Sequence, residues 1–280
     1  MRIGLVQEKQ NKLYQFQEKG VRYSLDEAKE YQRDMILQNR NGIQKAIEAG
    51  CDLVVTSEAI NFPGLPEKVE GDCAELLPEI GSEFFKEFGK MARDGNCYLA
   101  LGAYRKEVLE RKVKWYNSVF LYDRQGSLCE VYDKVHLAGE ENQYLERGNR
   151  YCVVETDFGR IGMAICWDMQ FAETCQTLAD MGADLIVAPT WGWEWLYGAC
   201  RAYENGVYVA SAMAVPFSGR IEGDRSPSEI IAPTGGCLAR GNREMEQVVL
   251  GEISDLRDCA FYREFRKKGR RQKLAAELSE

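Results

Sequence analysis

Gly50-Cys51-Asp52-Leu53-Val54-Val55 and Gly182-Ala183-Asp184-Leu185-Ile186-Val187 echo each other position by position. Each follows a stretch of helical pattern and opens a run of apolar, largely β-branched residues that reads as a buried strand. A helix-strand unit used in both halves points to one layered α/β body.

The surroundings of both copies extend the pattern. Upstream of the first, Ser24-Leu25-Asp26-Glu27 has the spacing of a capping box, which predicts a helix running to Gly50. Residues 2–6 form a short buried strand, while the polar stretch 8–23 has no period and reads as a loop or insertion. Beyond residues 52–56 comes a Pro/Gly loop at 62–66, then a helix capped by Ser82 whose Phe84, Phe85, Phe88, Met91 and Ala92 share one face. Residues 98–104 are the next strand. Arg124-Gln125-Gly126 joins strands 118–122 and 128–134, and Asp157-Phe158-Gly159 joins 151–156 and 160–166. A helix from about Asp168 to Met181 stops at Gly182, and a further helix at 197–205 precedes strands at 207–212, 228–231 and 247–253. No linker interrupts this order, so residues 1–280 read as a single domain with a C-terminal arm at 255–280.

Composition narrows the function. With 45% hydrophobic and 29% charged residues, the 280-residue chain can bury a sizeable core, and a net charge of -8 argues against a surface built for nucleic acid. The tail from Arg263 to Lys273 is basic, which reads as a solvated terminal helix or subunit-contacting arm before it reads as a nucleic-acid site. No apolar run reaches the roughly 18 to 20 residues that span a bilayer, and the amino terminus begins directly with strand-like residues. The expectation is a cytoplasmic protein without a membrane partner. The ten cysteines contain no Cys-x-x-Cys pair, and the single histidine, His136, excludes a multi-histidine metal centre. Neither a metal nor a cofactor is expected.

Glu58, Lys134 and Cys166 each leave the end of an apolar strand, the place where layered α/β folds gather their sites. Cys166 stands between a strand and the expected helix start, where a helix dipole would favour the nucleophilic thiolate. Cys97 and Cys152, among apolar neighbours, read instead as small hydrophobes.

Cys166-Trp167-Asp168, Tyr132-Asp133-Lys134-Val135-His136-Leu137 and Val54-Val55-Thr56-Ser57-Glu58 together resemble the nitrilase superfamily of carbon-nitrogen hydrolases. The resemblance runs from Arg2-Ile3-Gly4-Leu5-Val6-Gln7 to Ser228-Glu229-Ile230-Ile231-Ala232-Pro233-Thr234-Gly235 and is weaker at 8–23 and after Asp255. It implies a four-layered α-β-β-α sandwich, a homodimer or higher homo-oligomer with stacked sandwiches, and a small-molecule substrate. It also implies that Cys166 attacks the substrate carbon, Glu58 moves the proton, and Lys134 stabilises the oxyanion. The family's second glutamate falls at Glu141, seven residues before Gly148. His136 matches the family's Lys-x-His-Leu pattern in a structural place.

Three departures stand out. Ser57 occupies a position where the family has proline, and Gln176 replaces an arginine that anchors the helix after the nucleophile. The asparagine often found near 211–214 is absent, although Arg201-Ala202-Tyr203-Glu204-Asn205 keeps the pattern of the later helix. Trp167, Trp191 and Trp193 are candidates for substrate binding, while aromatics of the 191–197 loop could equally close the core or an interface. The expected reaction is hydrolysis of a small amide or carbamoyl compound through a Cys166 thioester. The alternatives are a nitrilase acting on a small nitrile and a catalytically silent binding protein of the same fold.

Overall fold

The two echoing aspartates do the same work twice. Asp52 Oδ2 accepts a 2.8 Å bond from Arg2 N, and Asp184 Oδ2 accepts a 2.9 Å bond from Arg160 N, each tying the start of one parallel strand to its neighbour. Gly50 and Gly182, which end the preceding helices, take φ of 73° and 94°, a left-handed conformation open to glycine at little cost. The sequence echo is therefore a structural repeat. The computed structural model describes residues 1–15, 18–110, 112–192, 196–216 and 226–270.

The first half contains β1 (Arg2–Gln7), β2 (Tyr23–Ser24), α1 (Leu25–Glu48), β3 (Leu53–Thr56), β4 (Val69–Glu70), α2 (Glu83–Asp94), β5 (Tyr98–Leu109), β6 (Lys112–Tyr122) and β7 (Leu128–Asp133). The second half contains β8 (Val153–Thr156), β9 (Gly159–Met163), α3 (Ala172–Asp180), β10 (Leu185–Thr190), α4 (Leu196–Asn205), β11 (Tyr208–Met213), β12 (Glu229–Ile231), β13 (Cys237–Arg240), β14 (Gln247–Glu252) and α5 (Cys259–Gly269). Two six-stranded sheets result, ordered β14-β1-β3-β5-β6-β7 and β13-β12-β11-β10-β9-β8. In each, three adjacent strands are parallel, β1, β3 and β5 in one and β9, β10 and β11 in the other.

Strand alternation builds the layers. Leu53 and Val55 of β3 and Leu185 and Val187 of β10 share one core between the sheets. Val54 turns outward with Val6 against Ile43 of α1 and Phe85 and Phe88 of α2, while Ile186 and Ala188 turn outward against Leu178 of α3 and Ala202 of α4. Both faces of the central strands are thus covered, as parallel sheets require. The order is helix, sheet, sheet, helix: the α-β-β-α sandwich.

Several local expectations change. Ser24 forms the full capping box with Glu27, but Ser82 occupies its N-cap position without a side-chain cap bond. The strand expected to end at 104 continues into a long antiparallel hairpin with β6. Residues 8–23 are not only loop: Lys12–Tyr14 forms a short 3-10 turn capped by Asn11, and Tyr23 and Ser24 pair with β4. The expected C-terminal arm begins as α5, fastened by Arg263 Nη1 to Asp184 Oδ1 at 2.5 Å and by Arg270 Nη2 to Asn205 Oδ1 at 2.8 Å. Its last residues, 271–280, lie outside the described residues. Among the described residues, no helix is long and apolar enough to cross a membrane.

Candidate active site

Where β3 ends, Thr56 Oγ1 accepts a 2.8 Å bond from Gly102 N. A Cβ on Gly102 would stand 2.5 Å from Ser57 O, so only glycine lets β5 approach this closely. Ala59, directly after Glu58, takes a left-handed φ of 54°, a conformation that costs a residue with a Cβ roughly 1–2 kcal/mol. The chain turns sharply at Glu58, which is 6% exposed.

Lys134 follows the last residue of β7 and is 1% exposed. Its N-H donates to Asn117 O at 2.9 Å and its carbonyl accepts from Gly148 N at 2.8 Å. Gly148 has no room for a side chain, since a Cβ there would fall 2.0 Å from Asp133 O. Lys134 Nζ lies 2.8 Å from Glu58 Oε1 and 2.9 Å from the Glu141 carboxylate. Glu141 is itself held by Ala138 N at 2.7 Å. Burial would lower the pKa of Lys134, but Glu58 and Glu141 outweigh it and hold the ammonium well above the usual lysine value. A cation flanked by two carboxylates is the arrangement in which such a buried charge is tolerated.

Sequence reasoning missed Asn117. Its Nδ2 donates to Glu58 Oε1 at 2.7 Å and reaches Glu141 Oε1 at 3.5 Å. The available signal was a polar residue inside the apolar run Trp115-Tyr116-Asn117-Ser118-Val119.

Cys166 departs from its expected setting. No α-helix starts there: residues Cys166–Gln170 form a 3-10 turn, and α3 begins only at Ala172. Cys166 has a left-handed φ of 39°, so the nucleophile candidate and the residue after Glu58 both carry backbone strain. Asp168 fixes the turn by accepting from Ile165 N at 2.9 Å, His136 N at 2.8 Å and Tyr132 Oη at 2.7 Å. From α4, Arg201 donates to Met169 O at 2.9 Å and Gln170 O at 2.8 Å. Arg201 thereby anchors the Cys166 turn from a different helix than the one carrying Gln176.

The thiol is not activated at rest. Burial, followed by the Glu58 charge, pushes its pKa up to about 12, while Lys134, the Thr190 hydroxyl and the Trp191 backbone oppose the rise without reversing it. Below that pH the sulfur is protonated, and each pH unit upward yields tenfold more thiolate. Modification of Cys166 by methyl methanethiosulfonate, followed by peptide mass spectrometry, is therefore expected to accelerate about tenfold per unit from about pH 6 to about pH 9. A plateau near neutrality would show a preformed thiolate instead.

Glu58, Lys134, Glu141 and Cys166 line one cavity of about 440 Å³. Tyr14, Phe62, Tyr104, Tyr144 and Trp191 form much of its wall, and Ala138, Gly139 and Glu140 line it beside Glu141. Tyr14 comes from the segment expected to be a plain loop; its hydroxyl donates to Ala59 O at 2.7 Å, and its ring centroid lies 5.2 Å from that of Trp191. Leu13-Tyr14, an apolar pair in a polar stretch, was the only hint. Of the three tryptophan candidates, Trp191 lines the cavity, Trp167 is half-buried outside its lining, and Trp193 lies outside the described residues. His136 is engaged elsewhere: its ring stacks on Phe171 with centroids 4.2 Å apart, and Nε2 lies 3.0 Å from Tyr151 Oη.

The carbon-nitrogen hydrolase family model matches residues 3–264. The omega-amidase NIT2-A of Xenopus laevis is 30% identical over 246 residues, spanning 79% of this chain and 83% of the relative. A carbon-nitrogen hydrolase from Helicobacter pylori G27 superposes with a TM-score of 0.77 at 20% identity, covering 99% of this chain and 97% of that one. A mutant of the amidase from Nesterenkonia sp. AN1, solved after Michael addition of acrylamide at its active-site cysteine, superposes with a TM-score of 0.72 at 20% identity and covers 99% of each chain.

Proposed function

The chain belongs to the carbon-nitrogen hydrolase family, and from that premise we propose that it is a thiol hydrolase that cleaves the non-peptide carbon-nitrogen bond of a small amide or carbamoyl compound. The observation that carries this reading is the Lys134 ammonium, held between Glu58 and Glu141 in the same cavity as Cys166. The relative named an omega-amidase and the amidase alkylated at its cysteine support the amide as substrate.

Each residue then has a step. Because the thiol is protonated at rest, attack needs a base in the same motion, and Glu58 takes the proton as Cys166 Sγ bonds to the carbonyl carbon. The carbonyl electron pair moves to oxygen, where the Lys134 ammonium stabilises it in a poorly screened pocket. As the carbon-nitrogen bond breaks, Glu58 returns the proton to the departing ammonia or amine, leaving a thioester. Water then attacks; Glu58 accepts its proton and passes it to sulfur as the carboxylic acid leaves. Glu141 and Asn117 position Lys134 and Glu58 through the bonds described above.

The same reading includes a cytoplasmic enzyme working as a homodimer or higher oligomer. Ten unpaired thiols suit a reducing compartment. Phe261 and Phe265 of α5, 72% and 69% exposed, offer apolar surface for self-association.

Intact-protein mass spectrometry during turnover of a small amide tests the chemistry. An acyl adduct on the Cys166 peptide is expected, one that disappears as carboxylic acid accumulates. Hydrolysis with no adduct at Cys166 under rapid quenching, or hydrolysis of a nitrile but not of its amide, would defeat the proposal.

A further inference from the structure

The cavity's charge is lopsided in a way that the proposed chemistry does not use. Its described lining contains three carboxylates, Glu58, Glu140 and Glu141, against one cation, Lys134. Lys134 is bonded to Glu58 and Glu141, and the proposed mechanism assigns its charge to the oxyanion, so these residues hold no second cation for an anionic group at the far end of a substrate. Glu140 differs from the other two acids. It is exposed and, among the described residues, takes part in no hydrogen bond or ion pair. The same lining includes Tyr14, Tyr144 and Trp191, and aromatic rings attract cations.

Resting on the amide-hydrolase reading, we propose that the substrate is an amide or carbamoyl compound whose far end carries a positive charge, an alkylammonium or guanidinium group, received by Glu140 and the aromatic wall. Glu140 acts here as a specificity residue and does not take part in the bond-breaking step. A carboxylate at the same place would meet the like charge of Glu140, which costs affinity. An uncharged end of the same length avoids the repulsion but gains neither the ion pair nor the cation-π contact.

The test separates recognition from chemistry. Binding of 4-aminobutanamide, 5-aminopentanamide and 6-aminohexanamide to Cys166→Ala protein is measured by calorimetry beside pentanamide, hexanamide and heptanamide, and beside glutaramate and adipamate. At least one aminoamide is expected to bind about tenfold more tightly than its neutral counterpart, with the anionic amides weakest. Glu140→Gln is expected to lower the ratio of cationic to neutral affinity about fivefold, leaving only the contribution of the aromatic wall, and Glu140→Lys to shift preference toward the anions. Equal binding across the set, preference for the anions, absence of binding by every compound, or a ratio unmoved by Glu140→Gln overturns the proposal. A cation preference without any thioester on the unsubstituted protein would remove the hydrolase reading, and with it the claim that the bound cation is a substrate, while leaving Glu140 as the residue that receives the cation.

Discussion

Cys166→Ala is expected to lower hydrolysis of the best amide substrate by a factor on the order of 10⁴ to 10⁶ while leaving the sandwich folded. The size of the loss follows from the mechanism: without sulfur there is no covalent intermediate, and water would have to attack the amide directly. Lys134 would remain to stabilise the oxyanion and Glu58 to take a proton from water, so a small residual rate is expected above background. Stability should change by no more than about 1 kcal/mol, because the Cys166 turn is held by Asp168 and Arg201 and not by the sulfur. Measured kcat/KM beside urea unfolding distinguishes the outcomes. Retention of activity within about tenfold of the parent would assign the nucleophile elsewhere.

Lys134→Met should damage both stability and activity. Methionine roughly fills the space, but it leaves Glu58 and Glu141 facing each other with Asn117 as their shared donor. Two carboxylates in one buried site resist simultaneous ionisation, so a loss of roughly 3–5 kcal/mol is expected near neutral pH. Loss of the charge proposed to stabilise the oxyanion should lower kcat by about 10² to 10³.

The pH dependence identifies the cause. In the parent protein the Lys134 pKa is raised above its ordinary value of 10.5, so its contribution is complete below that pH and lost only as pH rises through the folded value. It adds no slope between about pH 5 and pH 8. In the variant, like charge raises a carboxylate's folded pKa above its unfolded value, so stability is recovered on acidification and lost as pH rises through that folded value. Urea midpoints should therefore converge between variant and parent toward about pH 5 and diverge toward about pH 8. A pH-independent deficit would point to packing loss alone.

Much of the fold was legible in local signals. The capping box at Ser24 and Glu27, the glycines ending helices at Gly50 and Gly182, and the paired Asp-Leu-Val/Ile-Val runs are determined by neighbouring residues, so they survive the reading of a single chain. Strand extents were less legible. Residues 105–117 carry charges that hide a strand, and only pairing with one another makes them β5 and β6. The 3-10 turn at Cys166 was read as helix because Asp168 looks like part of a helix start; in the fold it is buried and satisfied by donors from three separate places.

By itself, the sequence offered Glu58, Lys134 and Cys166 as candidates at the ends of apolar strands, and its resemblance to the nitrilase superfamily added Glu141, seven residues before Gly148. Only tertiary structure decided that Lys134 sits between two carboxylates, that Asn117 and Tyr14 join the site, and that Trp167 does not line it. It also reversed the expectation for the thiol. Helix position is a local property, but desolvation depends on everything that closes over the sulfur, and here burial and the Glu58 charge outweigh the groups that favour thiolate.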